Sequence, residues 1–262
     1  MKNNQELFSA LTIAGSDSGG GAGIQADILT FASLGVFATS AIAAITAQNP
    51  DGVRAISTIP LASFKAQLEA VFEYFSPTAV KTGMLFDAEH ILATADFMSK
   101  YPDVKLVVDP VMISTSGTRL LRDDAEQAIK KNLLPLATLI TPNLDEAEAL
   151  LEEDITDMQL AAKKLSEKFS TSVLLKGGHL DCEEIIDVLY LTNSTMRIFK
   201  SSRIPDIDTH GSGCTLSAAI TANFAKGFSI EQSCEYARTF LIKGMKNPLY
   251  IRSKQFINHF PK

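Results

Sequence analysis

The run DTHGSGC, Asp208 to Cys214, puts a thiol where a helix begins. Leu216, Ile220 and Phe224 recur at i, i+4 spacing after it and predict that helix. Free amide N–H groups at a helix start, reinforced by the helix dipole, attract anions. Gly211 and Gly213, on either side of Ser212, allow those amides to converge. A thiol so placed is expected to have a lowered pKa and an accessible thiolate. One constellation could then hold a phosphoryl group in transfer and take the proton from an alcohol. The competing reading is a buried structural cysteine, the usual fate of a free thiol.

Other polar residues stand at the ends of apolar runs. In LLKGGHL (Leu174–Leu180), Lys176 precedes two glycines, so a lysine can meet a phosphate while the backbone lets a nucleotide lie close; a surface lysine in a turn is the alternative. His179, in the same run, has no clear role. In TPNLDEAEALL, Asn143 is placed to cap a helix and Glu146 follows three residues later, the spacing of a capping box. The second reading of Glu146 puts it near a hydrated Mg²⁺, which keeps several waters and uses one or two carboxylates. Asp109, ending KLVVD, is the other candidate carboxylate. In ITAQNPDGV, the Gln48 amide could donate and accept at once to a heteroaromatic ring, although an ordinary loop glutamine is the stronger reading of that residue alone. The loop GSDSGGGAGIQAD, Gly15 to Asp27, holds five of the 15 glycines. Its GAGIQA formally matches a dinucleotide fingerprint, but no acid lies between Asp27 and Asp51 to bind a ribose. A P-loop match is absent from the whole sequence. A dinucleotide-dependent oxidoreductase is weakened accordingly.

These residues need a scaffold that gathers strand ends. LTIAG, AVKTG, VKLVVDP, TLITPN and SVLLKGG read as strands, each closed by a breaker or turn former. Helical patterns cover Ala22–Leu34, Leu61–Phe75, Ala88–Tyr101, Asp123–Leu134, Leu144–Leu151, Asp157–Phe169 and a stretch within Ile230–Lys246. The alternation implies an α/β fold of three layers, α/β/α, with a central mostly parallel sheet covered on both faces. Ligands of such sheets bind beyond the carboxyl ends of the strands. The 262 residues read as a single domain, 1–262, with 46% apolar and 21% charged residues. A net charge of −6 without a basic run argues against nucleic acid and anionic membrane as partners. No apolar run approaches a membrane span, and MKNNQELFSALTIAG lacks a signal-peptide core and cleavage site. Three widely spaced cysteines, Cys182, Cys214 and Cys234, argue against a disulfide framework or a zinc cluster, and for a reducing cytoplasm.

Seven segments occur in order: LTIAGSDSGGGAGIQAD, AITAQNPDGV, AVKTGML, VVDPVM, LITPNLDEAE, LLKGGH and DTHGSGCTLSAA. Together they closely resemble the bacterial hydroxymethylpyrimidine/phosphomethylpyrimidine kinases of thiamin biosynthesis, in the ribokinase-like superfamily. The resemblance covers roughly residues 10–245. It implies an ATP- and Mg²⁺-dependent kinase acting twice on a small molecule, on 4-amino-5-hydroxymethyl-2-methylpyrimidine and then on its monophosphate. It assigns Gly15, Asp27, Gln48, Met84 and Val111 to the pyrimidine pocket, and Lys176 and Thr209 to the nucleotide phosphates. It assigns Asp109 and Glu146 to Mg²⁺, and Gly211, Ser212, Gly213 and Cys214 to the anion hole and catalytic position. The wider superfamily usually has Asp where Cys214 stands. The resemblance also implies a homodimer. It departs at the C-terminus, where family members often carry a GHG-like segment before NHF; here NPLYIRSKQFINHFPK has no glycine. The rival readings are a pyridoxal kinase of the same fold and a catalytically silent pyrimidine-binding protein.

Overall fold

The computed structural model of the chain describes residues 7–112, 123–178 and 183–261; His179 and Cys182 lie outside them. The first half runs β1 (Ser9–Asp17), α1 (Gly23–Ser33), β2 (Phe37–Asn49), β3 (Gly52–Thr58), α2 (Leu61–Phe75), β4 (Ala79–Thr82), α3 (Ala88–Met98) and β5 (Lys105–Val108). After it come α4 (Asp123–Ala128), β6 (Leu139–Ile140), α5 (Leu144–Leu151), α6 (Met158–Phe169) and β7 (Ser172–Leu175). The chain closes with β8 (Glu184–Tyr190), β9 (Met196–Ser202), α7 (Ser212–Ala225), α8 (Ile230–Lys246), β10 (Leu249–Ile251) and β11 (Lys254–Phe256). Helix α4 continues into a π turn, Ile129–Leu133, and a 3-10 turn, Leu134–Leu136.

Nine strands form one sheet in the order β3-β2-β1-β4-β5-β6-β7-β8-β9. All pairings from β2 through β7 are parallel, and the edge strands β3, β8 and β9 pair antiparallel. The apolar runs of the central strands follow from burial on both faces. In β5, Leu106 and Val108 enter one core and Val107 the other; in β7, Val173 and Leu175 oppose Leu174. Period-two alternation thus feeds two hydrophobic layers from one continuous apolar run. The first layer packs against α2 to α6, through residues such as Phe64, Ile91, Leu133, Leu150 and Leu165. The second packs against α1, α7 and α8, through Phe31, Ile220 and Ala237. The result is the three-layer, ribokinase-like α/β/α arrangement expected from the sequence.

The chain leaves β1 for its neighbour β2 on one side, then crosses to β4 on the other. The crevice beyond the carboxyl ends of β1 and β4 is therefore a topological switch point, where open sheets bind ligands. Among the described residues no helix is long and apolar enough to cross a membrane.

Candidate active site

A cavity of about 1360 Å³ opens over the carboxyl ends of the parallel strands. Pockets for one small ligand run about 300–1,000 Å³, so this one has room for two. On the β1–β4 side, the Gly15 N–H donates to the Met84 carbonyl at 2.9 Å. A Cβ on Gly15 would lie 2.6 Å from Met84 Cε, so the end of the methionine side chain sits directly over the glycine. Gly15, Met84, Gln48 and Val111 all line the cavity. Asp27, expected with them, does not: it is fully buried, with both carboxylate oxygens on the Lys81 ammonium at 2.6 and 2.7 Å.

The same cavity also gathers the charge-handling groups. Gly211, Ser212, Gly213, Cys214, Thr209, Lys176, Asp109 and Glu146 line the same cavity. Gly211 precedes α7 in the left-handed region, at φ +79°, and a Cβ there would overlap the Gly21 carbonyl oxygen. Only glycine lets the starts of α1 and α7 meet in this way. No side chain among the described residues caps α7. The Ser212 N–H turns back to the Thr209 carbonyl at 3.0 Å, which leaves the next amides, those of Gly213 and Cys214, available to an anion. A Cβ on Gly213 would stand 3.4 Å from Lys176 Nζ and 3.7 Å from Asp109 Oδ2. The helix start, the lysine and the carboxylate therefore share one small volume.

Lys176 Nζ donates to Asp109 Oδ1 at 3.0 Å. The Thr141 hydroxyl reaches the same oxygen at 3.0 Å, and Ser217 reaches Oδ2 at 3.2 Å. Burial opposes the charge on Asp109, but Lys176 and Lys81 outweigh it and hold the carboxyl below its usual range. Burial likewise opposes the Lys176 charge, and Asp109 and Glu146 outweigh it, keeping the ammonium protonated. Glu146 fulfils the capping-box expectation: its Oε2 accepts from the Asn143 N–H at 2.9 Å, while Asn143 Oδ1 accepts from the Glu146 N–H at 2.8 Å. Its Oε1 accepts from the Met112 N–H at 3.3 Å, and burial pushes its carboxyl up. No group of three or more His, Cys, Asp or Glu among the described residues is arranged to hold a metal ion. Two hard carboxylates beside a phosphate-sized space fit a largely hydrated Mg²⁺, which needs no protein cage.

The expected low thiol pKa does not hold. Burial, with Asp27 and Asp109 close by, pushes Cys214 up to about 11, against the pull of Lys81 and the Gly23 N–H. Burial of the charge is the main cause of the rise, and Asp27 and Asp109 add to it.

Two further residues escaped the sequence reading. Asp17 organises the glycine loop, accepting from the N–H groups of Gly19 at 2.8 Å, Gly21 at 3.1 Å and Ala22 at 2.9 Å. His210 approaches it at 3.4 Å from the other loop, and that contact raises the imidazole pKa. An aspartate just ahead of three glycines is a turn signal that would have found it. Lys81 is a charged residue inside a fully buried strand, which was the available signal there.

A mostly parallel sheet that presents an uncapped helix start, a lysine and a carboxylate to one cavity with room for two ligands has the architecture of a ribokinase-like small-molecule kinase. Known proteins narrow this. The sequence pattern of the phosphomethylpyrimidine kinase family matches residues 17–258. A hydroxymethylpyrimidine/phosphomethylpyrimidine kinase of Haemophilus influenzae is 47% identical over 247 residues, 92% of each chain. The phosphomethylpyrimidine kinase of Clostridium difficile superposes with a TM-score of 0.81 at 41% identity, over 91% of this chain and 99% of that one. A Bacillus subtilis pyridoxal kinase, solved with ADP, superposes with a TM-score of 0.90 at 35% identity over 98% of both. The chain belongs to the phosphomethylpyrimidine kinase family.

Proposed function

We propose that the chain transfers the γ-phosphoryl group of ATP to the hydroxymethyl oxygen of 4-amino-5-hydroxymethyl-2-methylpyrimidine, and then a second phosphoryl group to the monophosphate. The observation that carries this reading is the meeting of the two halves in one cavity. The Gly15–Met84 corner with Gln48 and Val111 lines the same cavity as Gly213, Cys214 and Lys176. The Gln48 amide matches the donor–acceptor edge of an aminopyrimidine. In the first step the alcohol oxygen bonds to phosphorus, the bond from phosphorus to the ADP oxygen breaks, and the hydroxyl proton passes to the thiolate form of Cys214, the minor form below a pKa of about 11. Lys176 and the α7 amides stabilise charge on the transferring group, the part of catalysis that matters most in phosphoryl transfer. Asp109 and Glu146 would hold Mg²⁺ through water, and the ion would offset phosphate charge. We read residues 1–262 as one kinase unit that works in the cytoplasm as a homodimer.

A second reading, pyridoxal as acceptor, is favoured by the close superposition on the Bacillus subtilis pyridoxal kinase. Both acceptors are primary alcohols on a six-membered heteroaromatic ring. Mass spectrometry of products from purified protein, ATP, Mg²⁺ and either acceptor separates the two. Mono- and diphosphate from the pyrimidine are expected. Phosphate on pyridoxal alone, or on neither, would overturn the reading.

A further inference from the structure

Arg238 on α8 is buried at the cavity wall, and nothing in the transfer step uses it. Its guanidinium pairs with Oδ2 of Asp187 on β8, a carboxylate that is buried as well. Another guanidinium nitrogen donates to the Ser201 hydroxyl on β9 at 3.3 Å, and the group lies over the Phe199 ring, 5.3 Å from its centre. Such a pair is weak evidence for stability, because desolvating two charges offsets their attraction and apolar residues of similar volume often serve as well. What the pair holds supplies the other explanation. The second carboxylate oxygen, Asp187 Oδ1, accepts from the Gly177 N–H at 2.9 Å. Strand β7 ends at Leu175, so its pairing with β8 does not reach this amide. Gly177 nevertheless lies against β8, where a Cβ on it would overlap the Ile186 carbonyl oxygen. The residue before it is Lys176, whose N–H donates to the Pro142 carbonyl at 2.9 Å and whose Nζ donates to Asp109 at 3.0 Å. One continuous set of contacts therefore runs from α8 through Asp187 and the Gly177 amide to the Lys176 turn.

We propose that Arg238 is a positioning residue for phosphoryl transfer: by fixing the Asp187 carboxylate against the Gly177 amide, it sets the turn that aims the Lys176 ammonium at the transferring group. This rests on the reading of Lys176 as a residue of the transfer step. If Arg238 acts through Lys176, its removal costs turnover where the lysine is present and costs nothing further where the lysine is gone. A general loss of packing, or a direct contact between Arg238 and the nucleotide, would instead add to the loss of the lysine.

The test is a double-mutant cycle of Arg238→Met and Lys176→Met, read as turnover on the pyrimidine alcohol with saturating ATP and Mg²⁺. Arg238→Met is expected to lower kcat about 10–100-fold, the scale of misplacing a reacting group by about 1 Å. The KM of the alcohol should stay within about threefold, since the Gln48 corner is untouched. In the Lys176→Met background the same change should lower kcat by less than about twofold. Arg238→Lys, which keeps a cation for Asp187, should recover most of the loss. Equal losses in the two backgrounds, or wild-type turnover in Arg238→Met, overturn the proposal. Hydrogen exchange adds a readout that needs no substrate. The Gly177 amide should exchange about tenfold faster in Arg238→Met than in wild type, while amides of β1 and β4 keep their rates. Unchanged exchange at Gly177, or acceleration throughout the chain, overturns the proposal. If Arg238→Met does not fold because Asp187 is left as a lone buried charge, Arg238→Met/Asp187→Asn removes both charges and is judged by the same outcomes. A wild type that phosphorylates neither acceptor would count against the kinase reading, and exchange would still decide whether Arg238 holds the turn.

Discussion

A thiol whose pKa stands at about 11 is mostly protonated at neutral pH and acts as a base only through its small thiolate fraction, so what Cys214 does depends on the acceptor it faces. An alcohol must lose a proton as it attacks. A phosphate monoester is largely ionised near neutrality, its second pKa being about 6, and needs no base. Replacing Cys214 by Ala should therefore separate the two reactions. Turnover on the alcohol is expected to fall about 10²–10⁴-fold, the usual worth of general-base help, while turnover on the monophosphate falls far less. Binding of the alcohol, measured by calorimetry, should stay within about threefold, since Gln48, Met84 and Val111 are untouched. Wild-type-like turnover on the alcohol would remove Cys214 from catalysis. The sequence located this thiol but mistook its pKa, because the helix start is a local feature, while burial, the main cause of the rise, and the approach of Asp27 and Asp109 depend on distant segments. Asp27 was misplaced for the same reason: its partner Lys81 lies 54 residues away and is invisible to local spacing.

The elements that carry these residues were legible where local pattern and burial agree. Helices α2, α5 and α8 form over the residues their periodicity marks, and the central strands follow their apolar runs. The antiparallel edge was not legible. Strand β9 is exposed at most positions, so no buried run announces it, and β2, which carries the edge strand β3, is rich in Ala, which gives little strand signal. What the elements deliver to chemistry is the junction of α1 and α7. Gly211→Ala would place a Cβ on the Gly21 carbonyl at φ +79°, combining left-handed strain with overpacking. A loss of about 2–5 kcal/mol is expected from the two effects in urea denaturation. Gly20→Ala is the control: φ is +78° but no atom lies within 4 Å of the new Cβ. It should cost only the backbone strain, about 1–2 kcal/mol. Equal losses in the two variants would mean that the loop contact does not hold α7 in place.

The C-terminal segment packs over this junction, with Phe256 beside the Gly21 position. It forms hairpin β10–β11, in which Gln255 Oε1 accepts from the Asp208 N–H at 3.0 Å. Beyond it His259, buried at 5% exposure, meets the Thr215 hydroxyl at 3.1 Å, one residue past Cys214. The tail and the catalytic turn are therefore one packed unit, and acid should loosen them together. Burial lowers the His259 pKa from 6.5 to about 4, so the folded protein keeps this imidazole neutral. Between those two values the unfolded chain binds the proton and the folded chain does not, so stability falls as pH falls from 6.5 to 4. One proton over that interval is worth about 3 kcal/mol. Asp17 and Asp109, held below the usual range, lose their contribution only at lower pH. Glu146, pushed up by burial, works in the opposite direction within the window. Comparing wild type with His259→Gln cancels that contribution, because the two sites share no partner. The variant retains an amide for Thr215 and should be less stable at pH 7.5 by a fixed amount. On acidification it should lose about 3 kcal/mol less than wild type, read as converging urea midpoints. Parallel curves down to pH 4 would show that His259 already titrates in the fold, and that the tail is not packed onto α7 in solution.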